Sequence, residues 1–353
     1  MGYRDLMALH AFDDLDDAIA VTKSFLTPIE LRGWLKLAFV AFFVGISGTS
    51  FPGFQGSVGG GGGGGGPPVD RVPADGFPTI MPGGDVWLLV GAVVAIAVVL
   101  GLVFLLVSSV MEFVLFESLR SETVAIRRYW SRWQGKGAQL FAFRLVLGLL
   151  VLGAFVLLVG PVVLSALDIG PTLGVSLALL VLLVPAFVLL AFVAGLVNGF
   201  TTVFVTPVVL LEDCGVLAGW RRLWPTITAA WKQYLAYAVI GLLLSATGGV
   251  LVGLVAVAGA LVLLLPFGPL FALAFGAFLV AELVGIALFV VVGLLYGLAV
   301  LTVVALAQVP VVTYLRYYAL LVLGDIEPAF DLVPEQRAAV RDTGADGDVA
   351  GAE

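Results

Sequence analysis

The chain has few of the residues that carry chemistry. Its 353 residues include one cysteine, one histidine and four lysines. An intrachain disulfide is excluded, and almost nothing is left for a thiolate or imidazole metal centre or for a Schiff base. Charge is scarce as well, at 12% of residues, against about 25% in a soluble domain. Positive charge is the scarcer sign, 17 Lys and Arg against 24 Asp and Glu, which argues against nucleic acid as a partner. No Walker loop, His-Glu-x-x-His, Cys-x-x-Cys or Gly-x-Ser-x-Gly signature occurs, so no cofactor and no catalytic constellation is expected.

What the chain has in excess is apolar side chain. Hydrophobic residues make up 61% and the mean hydropathy is +1.15, more than one buried core of this length can hide from water. Lipid must cover the remainder, so the expected fold is all-α, a polytopic transmembrane helical bundle. Apolar runs at 34–50, 86–110, 140–167 and 175–207 supply four crossings. The first is barely long enough, since about 20 residues are needed. Residues 234–312 carry Glu282 as their only charge and hold two or three more helices, with Pro266, Gly268 and Pro269 as the expected turn. Between the first two runs, residues 51–85 contain eight consecutive glycines followed by five prolines, at 67, 68, 73, 78 and 82, and read as a flexible loop.

Arginine and lysine set the expected orientation, because cytoplasmic loops carry them in excess. Arg120, Arg127, Arg128, Arg132, Lys136 and Arg144 fall in one connector, and Arg221, Arg222 and Lys232 in another, while the connectors at 168–174 and 265–269 have none. Six crossings with both termini in the cytoplasm satisfy these positions. The N-terminus is not expected to be a secretory signal, because mostly polar residues precede the first run. The Asp-rich, lysine-poor ends resemble those of proteins from high-salt cytoplasm.

The connectors resemble one another at spacings of 104 and 94 residues. Lys23, Arg127 and Arg221 correspond; so do Phe25, Tyr129 and Leu223, and Leu26, Trp130 and Trp224. Each unit reads as an interfacial amphipathic helix followed by a transmembrane hairpin, three parallel repeats about an axis along the membrane normal. The resulting division is 1–33 as a cytoplasmic N-terminus with an interfacial helix, 34–110 as the first hairpin, 111–207 and 208–323 as the second and third units, and 324–353 as an acidic cytoplasmic tail.

Within this pattern the Thr-Pro-Val-Val-Leu-Leu-Glu-Asp-Cys-Gly-Val segment at 206–216, the Arg-Arg-x-Trp helix after it and the Tyr-Leu-Arg-Tyr-Tyr-Ala-Leu-Leu-Val-Leu-Gly-Asp segment at 314–325 resemble the membrane domain of glycerophosphoryl diester phosphodiesterases and its stand-alone archaeal relatives. The resemblance extends over residues 10–330 and implies topology alone. In those enzymes the chemistry belongs to a separate soluble barrel of about 250 residues; with 30 residues after Leu323, the phosphodiesterase activity is not expected to carry over.

Candidate site residues follow from this reading. Arg127, Arg128, Trp130, Arg221, Arg222 and Trp224 combine cations with headgroup-level aromatics and are candidates for lipid headgroups. Glu282, with Asn198 and Gln308, is the candidate transport site, because an ionisable group in an apolar run often marks a path. Gly-x-x-x-Gly pairs at 195/199, 249/253 and 293/297 predict close helix packing. The expected function is a non-catalytic membrane module that binds membrane lipids or another membrane protein, with a transporter or channel as the alternative.

Overall fold

A computed structural model of the chain describes residues 10–28, 30–48 and 84–350. The expected flexible loop lies outside them except for its last two residues, and so does the side chain of His10. The described residues form helices and no strand: α1 (His10–Leu26), α2 (Leu31–Gly48), α3 (Gly84–Ser121), α4 (Ile126–Ala166), α5 (Leu173–Phe200), a π-helical turn (Thr201–Val205), α6 (Thr206–Glu212), α7 (Val216–Ala229), α8 (Trp231–Val280), α9 (Glu282–Ile326), a 3-10 turn (Pro328–Phe330) and α10 (Pro334–Ala350).

Five of these stretches are long and apolar enough to cross a membrane: Leu88–Ser121, Ile126–Ala166, Leu173–Glu212, Trp231–Val280 and Glu282–Ile326. They keep large apolar side chains in the open, for example Leu100, Val181, Leu265 and Leu294. Water would make that surface strongly unfavourable and hydrocarbon would not, so this is a membrane protein with transmembrane helices. α2 is not among the five; its 18 residues extend about 27 Å at 1.5 Å per residue.

The helices divide into an apolar exposed part and a buried end. In α3, residues 88–103 are exposed all round and residues 108–119 are buried all round. The same enclosure covers residues 201–210 and residues 316–324 of α9. A helix can be enclosed on every side only if it has no solvated face. These three ends form the centre of one core, with Phe113, Phe116, Phe204, Tyr317 and Tyr318 among its largest members. Around it pack α1, α2, the start of α4, α7, the start of α8 and the 3-10 turn.

Chain ends of the helices follow from local chemistry. α3 and α6 stop at Glu122 and Asp213, and α4 stops just before Asp168, all three with φ near +50°. A short polar side chain makes this left-handed conformation accessible to aspartate. The turn after α4 also requires Gly170, since a Cβ there would meet the Leu164 Cβ at 2.6 Å.

Three expectations are corrected. The last apolar region makes two helices, and α8 runs unbroken through Pro266 and Pro269. In lipid a helix retains its remaining backbone bonds because nothing else can satisfy them. The break is at Ala281, with φ −145° and ψ 97°, where Glu282 starts α9 and its charge suits the N-terminal end of the helix dipole. Second, the amphipathic segment and the span of the middle unit are one continuous helix, α4. Third, no atom outside the local helix lies near a Cβ placed on Gly253, Gly293 or Gly297, while Gly137 fits against Val110, Gly248 against Val311 and Gly259 against Val303.

Candidate functional site

The buried ends of α3, α4 and α9 bring three charged side chains together. Glu112 is fully buried, and Arg144 and Arg316 are each 6% exposed. Arg316 Nη2 lies 2.6 Å from Glu112 Oε1, and Arg144 Nη2 lies 3.7 Å from Glu112 Oε2. Arg144 also donates to Ser109 Oγ at 3.3 Å and to Thr202 Oγ1 at 2.8 Å. The Arg316 guanidinium stands over the Phe116 ring at 5.7 Å, a further attraction for a desolvated cation. Burying these charges is unfavourable unless they pair, and the planar guanidinium is the cation best suited to such pairing.

The π-helical turn is what places Thr202 in this centre. Pro207 has no N–H and would crowd the carbonyl of Val203 four residues earlier. The turn admits an extra residue, the Thr206 backbone N–H donates to Thr201 O, and the Thr206 hydroxyl donates to the same carbonyl at 3.0 Å. Trp220 of α7 then donates from Nε1 to Thr201 Oγ1 at 2.9 Å, so an aromatic of an arginine-bearing helix is tied to the turn itself. Wide turns of this kind concentrate at functional sites. Gln308, 6% exposed, lies on α9 two turns from Arg316; its side chain rests on α2 at Gly45, where a Cβ would leave it no room.

At the same end of the bundle, residues of the acidic tail are docked. Arg341 of α10 meets Asp14 at 3.1 Å, Asp17 at 3.0 Å and Asp325 at 2.8 Å. Arg337 meets Asp325 at 2.6 Å and donates to Leu321 O at 2.9 Å. Gln336 donates to Arg120 O at 3.2 Å, near the end of α3. Burial, then the neighbouring Asp325 carboxylate, pushes the Asp14 carboxyl up to about 8, against the pull of Arg341 and Arg337. Nearby, Lys136 donates to the carbonyls of Asp213 and Cys214 at 2.6 and 2.9 Å. Burial and Glu212 raise the Cys214 thiol above its ordinary value.

The residues singled out from sequence separate into two groups. Arg127, Arg128, Arg221, Arg222 and Trp224 are exposed, and Trp130 is half-buried. Arg128 donates to Tyr129 Oη at 2.8 Å and Arg222 to Glu212 at 2.8 Å; Arg127 and Arg221 make no ion pair among the described residues. Glu282 is exposed at the turn between α8 and α9, and Asn198 is half-buried in α5. Gln308 lies 26 positions beyond Glu282 on α9, about 39 Å at 1.5 Å per residue, so these two do not line one site. Sequence reading missed the ionic centre. Arg144 reads as one of the connector arginines and nothing in the pattern singles out Glu112 or Arg316, because each lies at the inner end of an apolar run. An apolar groove of about 440 Å³ also runs between α8 and α9, lined by Leu251, Val255, Pro310 and Tyr314 among others.

No curated protein and no solved structure matches the chain. A family match covers residues 9–333, and it contains no link to phosphodiesterase membrane domains. That span includes all the described helices up to the 3-10 turn and the whole ionic centre. The chain therefore belongs to a family of unknown function, DUF7544.

Proposed function

We propose that the protein is a non-catalytic, six-span membrane module whose three hairpins, α2–α3, α4–α5 and α8–α9, close around the ionic centre and whose cytoplasmic cations hold anionic lipid. One observation carries the reading. Lys23, Arg127 and Arg221, which correspond at spacings of 104 and 94 residues, are all exposed and make no ion pair among the described residues, while their neighbours Phe25, Tyr129 and Leu223 are all buried. The three positions thus share an inside and an outside. The exposed rings of Trp224 and Trp231 suit the headgroup level beside them. α2 supplies the sixth, shortest crossing, and orientation follows from the arginines. The likeness of residues 206–216 to phosphodiesterase membrane domains supports the same topology without their activity.

The test uses nanodiscs containing equal anionic and zwitterionic phospholipid. Native mass spectrometry of the released protein is expected to show anionic lipid enriched on the wild type. A triple variant, Lys23→Gln, Arg127→Gln and Arg221→Gln, should lose about two orders of magnitude of that preference, at about 1 kcal/mol per surface cation. Equal lipid selectivity in the two proteins sinks the reading. So does saturable solute flux through reconstituted vesicles that disappears in Glu282→Ala, the outcome a transporter requires.

A further inference from the structure

The ionic centre is not electrically balanced. Two guanidinium groups face one carboxylate, a net charge of +1, all three being at least nine-tenths buried. Arg144 and Arg316 both pair with Glu112, and among the described residues no other acidic group lies in ion-pair range of either arginine. The nearest additional acid on α3, Glu117, is paired with Arg132 at 3.4 Å. An isolated excess charge in a site closed to water is strongly unfavourable.

Unused donors accompany the excess charge. Nε of Arg144, Nε of Arg316 and the hydroxyl of Ser108 are buried without a hydrogen-bond partner. Ser108, itself fully buried, is one helical turn from Glu112 on the same face of α3. Arg144 reaches that same turn through Ser109 and Glu112. Buried polar groups in native proteins are almost always satisfied, by protein, water or an ion. Water would satisfy the donors and leave the charge. An anion answers both needs, and its size is limited by the close packing of the surrounding helices.

We propose that the centre binds one small inorganic monoanion, of the chloride type, with Arg144 Nε, Arg316 Nε and the Ser108 hydroxyl as its donors. The ion completes the charge of the Glu112–Arg144–Arg316 cluster and thereby locks α3, α4, α9 and the π-helical turn into one unit. This site is independent of the lipid-facing cations and stands or falls separately from them.

The probe is chloride, titrated against gluconate at constant ionic strength, with the unfolding midpoint of the full-length protein in detergent as readout. The midpoint of the wild type is expected to rise with chloride and to saturate, as linkage to a single site requires. Ser108→Ala keeps the charges and the packing and removes one donor. Its apparent affinity should fall about tenfold, the order expected for one hydrogen bond to a charged partner. Arg144→Gln neutralises the cluster and should remove the dependence altogether. Bromide soaked into crystals of the wild type should give an anomalous peak beside Arg144 and Arg316. An equal midpoint in chloride and gluconate overturns the proposal, as does an unaltered chloride affinity in Ser108→Ala. Retention of one lipid phosphorus per chain without any chloride effect also overturns it, since a headgroup would then be the counter-charge.

Discussion

Glu112 is the single side chain on which most of the buried charge depends. Without its carboxylate, Arg144 and Arg316 face each other unopposed in the core, and leaving a buried charge unpaired typically costs about 3–5 kcal/mol. Glu112→Gln is therefore expected to lower unfolding stability in detergent by that amount. Combining it with Arg316→Met should restore part of the loss, read as a coupling energy in a double-mutant cycle. Asp14 governs a second effect at the same scale. Its carboxyl is pushed up to about 8 in the docked state, from an ordinary 3.8, by burial and by Asp325, with Arg341, Arg337 and Asp17 also facing the cluster. The docked form therefore holds a proton that the undocked form has lost. The contribution is complete below about pH 4, declines as pH rises and is gone above about pH 8. Hydrogen exchange in α10, corrected for its intrinsic rate, is expected to be faster at pH 8.5 than at pH 6, and Asp14→Asn should abolish that difference. An opposite trend would show that the carboxylate form is the docked one.

At the scale of the element, the close approach of α3 and α4 rests on a missing side chain. A Cβ on Gly137 would collide with Val110, whose own Cα is 2.8 Å away, whereas a Cβ on Gly148 meets nothing. Gly137→Ala should lose about 1–3 kcal/mol through overpacking. Gly148→Ala, on the same helix, should be neutral or gain up to about 1 kcal/mol from helix propensity; thermal unfolding of the two variants side by side checks the contrast. The elements also show what pattern reading can and cannot reach. The apolar runs located α2, α3, α4 and α5 because a span needs uninterrupted apolar length and nothing else. Pro266 and Pro269 misplaced the α8–α9 turn, because the rule that proline ends a helix assumes water is present to take up the freed carbonyls. In α1 the buried face includes Asp14, Ala18, Val21 and Phe25 while Ile19 is 56% exposed. Its position against α9 and α10 therefore rotates it away from the purely hydrophobic stripe.

For the whole molecule the sidedness of the bundle is the decisive property, and the chain contains its own reporter. Cys214 is the one cysteine, half-buried beside the arginine-bearing α7, with a thiol raised by burial and by Glu212. An impermeant maleimide is expected to label it in opened membranes and not in intact cells, and faster at pH 9 than at pH 7 because the thiolate is the reactive form. Labelling of intact cells would invert the orientation.

Composition and local pattern were enough to determine that the described residues are helical, that long apolar helices able to cross a membrane dominate them, and that Arg127 and Arg221 stay at the surface. Those properties depend on short stretches of sequence and on the solvent around them. The ionic centre was decided by tertiary structure alone. Residues 112, 144 and 316 are far apart in the chain, each resembles an ordinary residue at the edge of an apolar run, and their charges acquire meaning only when three helix ends close over them and exclude water. The same holds for Asp14 and Arg341, whose docking joins the two ends of the chain.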